Sequence, residues 1–271
     1  MHDGSTPPTA PVTLDVAEGI ATLTMERPRS INALSEEMLA ALQLHLDDIA
    51  TRRDIKVVIL RGAGHHFCAG HNLKEMTERR ADEDGGYQYF NDLFATCAKM
   101  MMSVVNLPQP VIAEVTGIAT AAGCQLVASC DLAVAAEDAR FATSGINIGL
   151  FCSTPMVALS RNIGRKAAME MLLLGEFVAA DKALELGLVN QVVPLEEVAN
   201  ATRTMAEKIV SKSPVAVKIG KRAFYEQAEM TLAEAYEYAG RTMADNMMAQ
   251  DAERGIGAFV TKSPMPDWEG K

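Results

Sequence analysis

The 271-residue chain has too few cations to hold a polyanion. It carries 25 Lys and Arg against 35 Asp and Glu, a net charge of −10. Nucleic acid needs clustered cations along one face, so DNA and RNA are excluded as main partners. A small anion needs only a few local donors and is not excluded. The five cysteines (Cys68, Cys97, Cys124, Cys130, Cys152) are an odd number, form no C-x-x-C pair and are joined by no histidine pair at ligand spacing. Neither a disulfide framework nor a metal site is expected, and the cysteines read as small buried hydrophobes in a reducing compartment. The longest uncharged run, Val115–Cys130, is interrupted by Gly117, Gly123, Gln125 and several hydroxyls. It is too short and too polar to span a membrane. The opening stretch MHDGSTPPTAPV has no apolar segment and no Arg, so it reads as neither a signal nor a transit peptide. Residues 1–11 are expected to be a disordered tail, and the protein cytoplasmic.

Familiar catalytic signatures are missing too. There is no G-x-S-x-G, no H-E-x-x-H and no P-loop. Gly62-Ala63-Gly64 begins a dinucleotide-like fingerprint after a strand, but Phe67 stands where the third glycine belongs and no helix opens there. A nucleotide cofactor is not expected.

What is present is an ordinary globular mixture, 49% apolar and 22% charged, in a chain long enough to bury a large core. Val12–Val16, Glu18-Gly19 and Ile20–Met25 predict a hairpin. Ser35 is a candidate N-cap ahead of Met38, Leu39, Leu42, Leu46 and Ile49 at helical spacing. Short apolar strands are predicted at Lys56–Arg61, Val111–Val115, Leu132–Ala135, Arg140–Ala142 and Leu188–Val193, a helix at about Gln88–Val105 and a short one at Cys124–Ser129. Beyond Pro155 helices dominate. Strands mixed with helices and then helices alone imply an α/β core with a helical C-terminal section and no separate second domain.

Two glycine-containing stretches, Phe67–Met76 (FCAGHNLKEM) and Gly117–Asp131 (GIATAAGCQLVASCD), each lead from a strand into a polar or helical segment. Such junctions leave backbone N–H groups free, and two that converge make an oxyanion hole. The same glycines are also what simple turns require. Around these stretches the chain resembles the crotonase, or enoyl-CoA hydratase/isomerase, superfamily from about Val12 to Trp268. The matching segments are Arg27-Pro28 with Ile31-Asn32-Ala33-Leu34, KVVILRG, FCAGHNLKEM, AAGCQLVASCDLAVAAEDARFATSGINIGL, the stretch from Arg161 to Val193, and ERGIGAFV. The GHNL loop and ATAAGCQLVASCD resemble one mammalian subgroup in particular.

The resemblance implies an α/β crotonase-like spiral of ββα repeats, with an acyl-CoA-binding core over 12–200 and a helical oligomerisation region over 201–271 that builds homotrimers or homohexamers. It implies an acyl-CoA thioester as partner and no cofactor beyond the CoA moiety of the substrate. The backbone amides of His71 and Ala122 match the family's oxyanion hole. The two hydratase glutamates fall on Gln125 and Gly145, so true hydration is expected to be weak or absent. Four side chains stand as candidates to act in their place. His71 is one, because imidazole is the usual acid or base near neutral pH. Cys152 and Ser153 lie where relatives place catalytic groups. Asn147 supplies a neutral hydrogen bond or fixes a turn. Arg27, Arg29, Ala69, Lys74 and Lys262 match positions near the bound CoA. Decarboxylation, hydrolysis and non-catalytic binding of acyl-CoA stand as alternatives.

Overall fold

A computed structural model describes residues 10–271. The expected tail over 1–11 therefore lies outside the described residues except for Ala10 and Pro11. Those two are tied down, because Arg27 donates to the Ala10 carbonyl and the Glu26 N–H to that of Pro11.

β1 (Val12–Ala17) and β2 (Ile20–Met25) form the expected hairpin. Glu18 and Gly19 both have positive φ, 54° and 80°, the conformation whose twist matches the flanking strands. In α1 (Glu36–Thr51) the Ser35 hydroxyl accepts from the Met38 N–H at 3.1 Å, and Glu36 and Glu37 face the positive helix end. Met38, Leu39, Leu42, Leu46 and Ile49 turn inward as their spacing predicts. β3 (Val57–Gly62) is apolar without alternation because it pairs in parallel with strands on both sides.

The chain continues through α2 (Leu73–Glu78), α3 (Tyr87–Asn106), β4 (Val111–Val115), β5 (Ile118–Thr120), α4 (Ala122–Ser129), β6 (Leu132–Ala136) and β7 (Arg140–Ala142). Then come α5 (Pro155–Asn162), α6 (Arg165–Leu174), β8 (Val178–Ala179), α7 (Ala180–Leu186), β9 (Gln191–Val193), α8 (Val198–Val210), α9 (Pro214–Gln227), α10 (Leu232–Met247) and α11 (Gln250–Thr261).

The large sheet runs β1-β2-β3-β4-β6-β9 and is parallel from β2 onward; β5, β7 and β8 form a small sheet beside it. Cys68 bridges to Ala119 at the edge of the small sheet. Successive turns thus lay one element in each sheet: β3 then Cys68, β4 then β5, β6 then β7. This is a spiral, and it stacks the ends of equivalent strand-to-helix loops one above another.

Two expectations change and one strand is new. The strand expected over Leu188–Val193 shortens to β9, because Leu188 donates to the Ala183 carbonyl and closes the end of α7. α4 starts at Ala122, two residues before the expected Cys124. β8 is too short for periodicity to register.

Asp131, just past α4, ties the core to the C-terminal helices. Its carboxylate accepts from the Val111 N–H (2.7 Å), the Lys221 ammonium (2.7 Å) and the Tyr225 hydroxyl (3.0 Å). Lys221 also donates to the carbonyls of Val104 and Gln109. Burial pushes the Lys221 pKa down and Asp131 partly offsets this. By contrast α10 buries no residue of its own, and Tyr236, Met243 and Phe259 lie open.

Candidate active site

The site begins with Asn32, fully buried. Its side-chain amide donates to the carbonyls of Ala63, His66 and Phe67, and its oxygen accepts from the Arg27 N–H. Gly62 leaves room for that amide, since a Cβ there would strike Asn32 Nδ2 and two carbonyl oxygens. The would-be dinucleotide glycine is thus a packing feature. The loop it shapes delivers Cys68 to the small sheet, where Cys68 donates to Ile118 and accepts from Thr120. Thr120 Oγ1 donates to the Ala69 carbonyl at 3.0 Å. Two residues later, Gly70 touches the other glycine stretch: a Cβ there would meet Ala121 Cβ at 3.0 Å and Ala122 N at 3.1 Å, and φ is +92°. Any side chain would push the two loops apart.

This zipper leaves two N–H groups without a backbone partner. In the bridge between Leu34 and His71, Leu34 donates to the Gly70 carbonyl and Asn72 to that of Leu34, so the His71 N–H is not consumed. Ala122 opens α4, and its N-cap, Ala121, supplies no capping side chain. The Ala122 N–H is therefore one of the donors a helix start leaves unpaired. Ala121 itself sits at φ 50°, ψ −120°, a region unfavourable for any residue with a Cβ. The chain accepts this strain while turning β5 directly into α4.

Both residues line a cavity of about 410 Å³. Its walls are Leu73, Met76, Phe94, Ile148, Leu150 and Phe151, with Ala69, His71, Ala121, Ala122, Ser144, Gly145, Asn147 and Cys152–Pro155 completing it. No Asp, Glu, Lys or Arg lines it. Both His71 ring nitrogens are buried without a hydrogen-bond partner, and the ring stands edge-on to Phe94 at 5.6 Å. Burial pushes the imidazole pKa down; the nearby Leu34 carbonyl offsets this in part without reaching hydrogen-bond geometry. His71 is thus neutral at pH 7.

The spiral therefore brings together His71, Ala122, Gly145, Cys152, Ser153 and Ala69. Gln125 is one turn further along α4, outside the cavity wall, 6% exposed, with its side-chain oxygen unpaired. A Cβ on Gly145 would run into the Leu150 carbonyl oxygen and meet Cys152 Sγ at 2.9 Å, so the turn over 145–152 closes the room a glutamate would need. Burial raises the Cys152 thiol pKa, with the Gly145 N–H opposing, so it stands as a thiol and not a thiolate. Asn147 fixes a turn by donating to the Gly175 carbonyl. Arg27, Arg29, Lys74 and Lys262 are not among the lining residues. Arg27 pairs with Glu37, Arg29 and Lys74 are exposed, and Lys262 is the left-handed residue that ends α11. Sequence reading missed the apolar wall. Leu73 and Met76 are one helical turn apart on α2, but Phe151 and Ile148 carry no pattern that marks them.

These features define an uncharged, mostly apolar pocket with two unpaired backbone N–H groups among its lining residues. The profile of the enoyl-CoA hydratase/isomerase family matches residues 15–271, and the chain belongs to that family, with its crotonase fold. It is similar to the enoyl-CoA hydratase domain-containing protein 3 of human and mouse, at 46% and 45% identity over 93% of this chain and 81% and 82% of theirs. A crystal structure of an enoyl-CoA hydratase from Mycobacterium smegmatis superposes with a TM-score of 0.91 at 53% identity, covering 95% of this chain and 98% of that one. The expectation of a cytoplasmic protein is corrected by these relatives, since the human and mouse proteins are named mitochondrial. The physical reason is that compartment is set by an address segment that a receptor reads, independently of the fold. Among the described residues no helix is long and apolar enough to cross a membrane.

Proposed function

We propose that this protein is an enzyme acting on acyl-CoA thioesters through an enolate-like transition state. The observation that carries this is the pair of unconsumed N–H groups of His71 and Ala122, two residues that line one uncharged cavity. The thioester carbonyl oxygen lies between them, and the acyl group packs on Phe94, Met76 and Phe151. As negative charge grows on that oxygen the two donors strengthen, each worth about 10²–10³ in rate. The low dielectric of the apolar wall sharpens the effect.

Hydration is weak or absent in this reading. Gln125 cannot exchange a proton, and Gly145 has no side chain. General acid–base groups contribute about 10²–10⁴ each. Neutral His71 is the remaining base, with Cys152 and Ser153 as hydrogen-bond donors to bound substrate. Decarboxylation needs an enolate-stabilising site more than a strong base and is the first alternative reaction, with thioester hydrolysis as the other. A non-catalytic acyl-CoA binder is the second reading, favoured by the absence of any carboxylate from the cavity. The CoA moiety, the only cofactor-like group required, is held outside the cavity by Arg27, Arg29, Lys74 and Lys262, with Ala69 at the thioester end. The open apolar side chains of α10 and α11 support assembly through 201–271 into homotrimers or homohexamers around the core over 12–200.

The test is calorimetry with butyryl-CoA against CoA, followed by a mass-spectrometric product screen over enoyl-, malonyl- and hydroxyacyl-CoAs. Preference for the thioester with turnover of one class is expected. Preference without turnover selects the binder, and no preference overturns both readings.

A further inference from the structure

A second concave surface lies away from the reaction cavity. A groove of about 510 Å³ runs between the end of α8, one face of α9 and the residues that lead into β4 and β6, with Pro110 and Leu132 in its wall. It opens where those strands begin, whereas the reaction cavity lies past the end of β5, at Ala121 and Ala122. Its volume is that of a small-molecule site.

The charge there is opposite in sign to that of the chain as a whole. From Lys208 to Tyr225 the sequence has five cations and no Asp or Glu, in a protein of net charge −10. Lys221 is neutralised by Asp131 and Arg222 by Glu226. Lys208 and Lys212 line the groove, are exposed, and have no ion-pair partner among the described residues. Beside them stand Ile209, Val217 and Phe224, the last 65% exposed. The floor is rigid, because Tyr225 and Lys221 are both held by Asp131. An apolar trough with two uncompensated ammonium groups is complementary to an anion with an aliphatic body. The free cations are lysines, point charges without the guanidinium fork that suits phosphate.

We infer that this groove binds a monomeric aliphatic carboxylate, its chain along Ile209, Val217 and Phe224 and its head group at Lys208 and Lys212. The inference does not rest on the acyl-thioester reading.

Decanoate is the probe, titrated by calorimetry into the wild type, the double variant Lys208→Glu/Lys212→Glu, and Phe224→Ser. All three positions are exposed, so the variants are expected to fold. Saturable binding is expected in the wild type, weakened about tenfold or more in the double variant and severalfold in Phe224→Ser, with added salt weakening only the wild-type charge contribution. Equal affinity in all three proteins places decanoate elsewhere, the reaction cavity included, and overturns the inference, as does absence of saturable binding. Two further outcomes also overturn it. One is binding to anionic phosphatidylglycerol vesicles without binding of monomeric decanoate. The other is a change of sedimentation mass in Phe224→Ser alone, which assigns the groove to a second copy of the chain.

Discussion

Gly145 offers a sharp test of the proposal that this protein hydrates enoyl-CoA weakly or not at all. Substitution by Ala adds one methyl group at a point where the Leu150 carbonyl oxygen and Cys152 Sγ already stand, the latter at 2.9 Å. The carbonyl cannot step aside freely, because the Leu150 N–H is itself bonded to the Gly145 carbonyl at 2.9 Å. Overpacking of this kind costs about 1–3 kcal/mol. For a chain of this size that is a fall of roughly 2–12 °C in Tm. Cys152→Ala removes the sulfur contact but not the carbonyl, so the double variant Gly145→Ala/Cys152→Ala regains only part of the loss. The pair should therefore couple positively in a double-mutant cycle. Thermal unfolding at fixed protein concentration measures stability, and butyryl-CoA affinity reports the wall in parallel. It follows that Gly145→Glu with Gln125→Glu does not create a crotonyl-CoA hydratase, because the turn over 145–152 must first be remodelled. Wild-type stability in Gly145→Ala, or efficient loss of enoyl absorbance in the double glutamate variant, would refute this reasoning.

The remaining predictions concern the frame of the site. Lys221→Met strands the buried Asp131 carboxylate with two donors, and urea denaturation should show a loss of about 3–5 kcal/mol; Lys221→Met with Asp131→Asn should lose less. Ala121→Gly relieves a backbone strain of about 1–3 kcal/mol at a smaller entropic cost, so a net gain in Tm is expected, while Ala121→Val should lower it. The His71 pKa is depressed in the folded protein, so the unfolded chain binds more protons just below its ordinary value. Stability from this group is fully present above about pH 6.5 and falls as the pH drops through that value. The Tm loss between pH 7.5 and 5.5 should be smaller in His71→Phe than in wild type; an equal loss would contradict the burial argument.

Much of the frame was legible because it is local. The Glu18-Gly19 turn, the Ser35 cap, the inward face of α1 and the unalternating β3 follow from conformational preference and period, which neighbouring residues decide among themselves. So does the start of α4 within two residues. Motif resemblance reached further and assigned His71 and Ala122 together. What periodicity could not report was β8, two residues long, and the early end of the Leu188–Val193 run, which a hydrogen bond to α7 decides.

By itself, then, the sequence determined the α/β class, the order of elements and the identity of the two loops whose amides lie free, because those depend on local chemistry and on a pattern carried in order along the chain. Only the tertiary structure decided what those loops enclose. It put Phe94, Met76 and Phe151 around His71, left the ring nitrogens unpaired, set Gln125 behind the wall and filled the space above Gly145 with a carbonyl oxygen. The reason is that steric room and desolvation arise from atoms far apart in the chain. Only the spiral brings those atoms together.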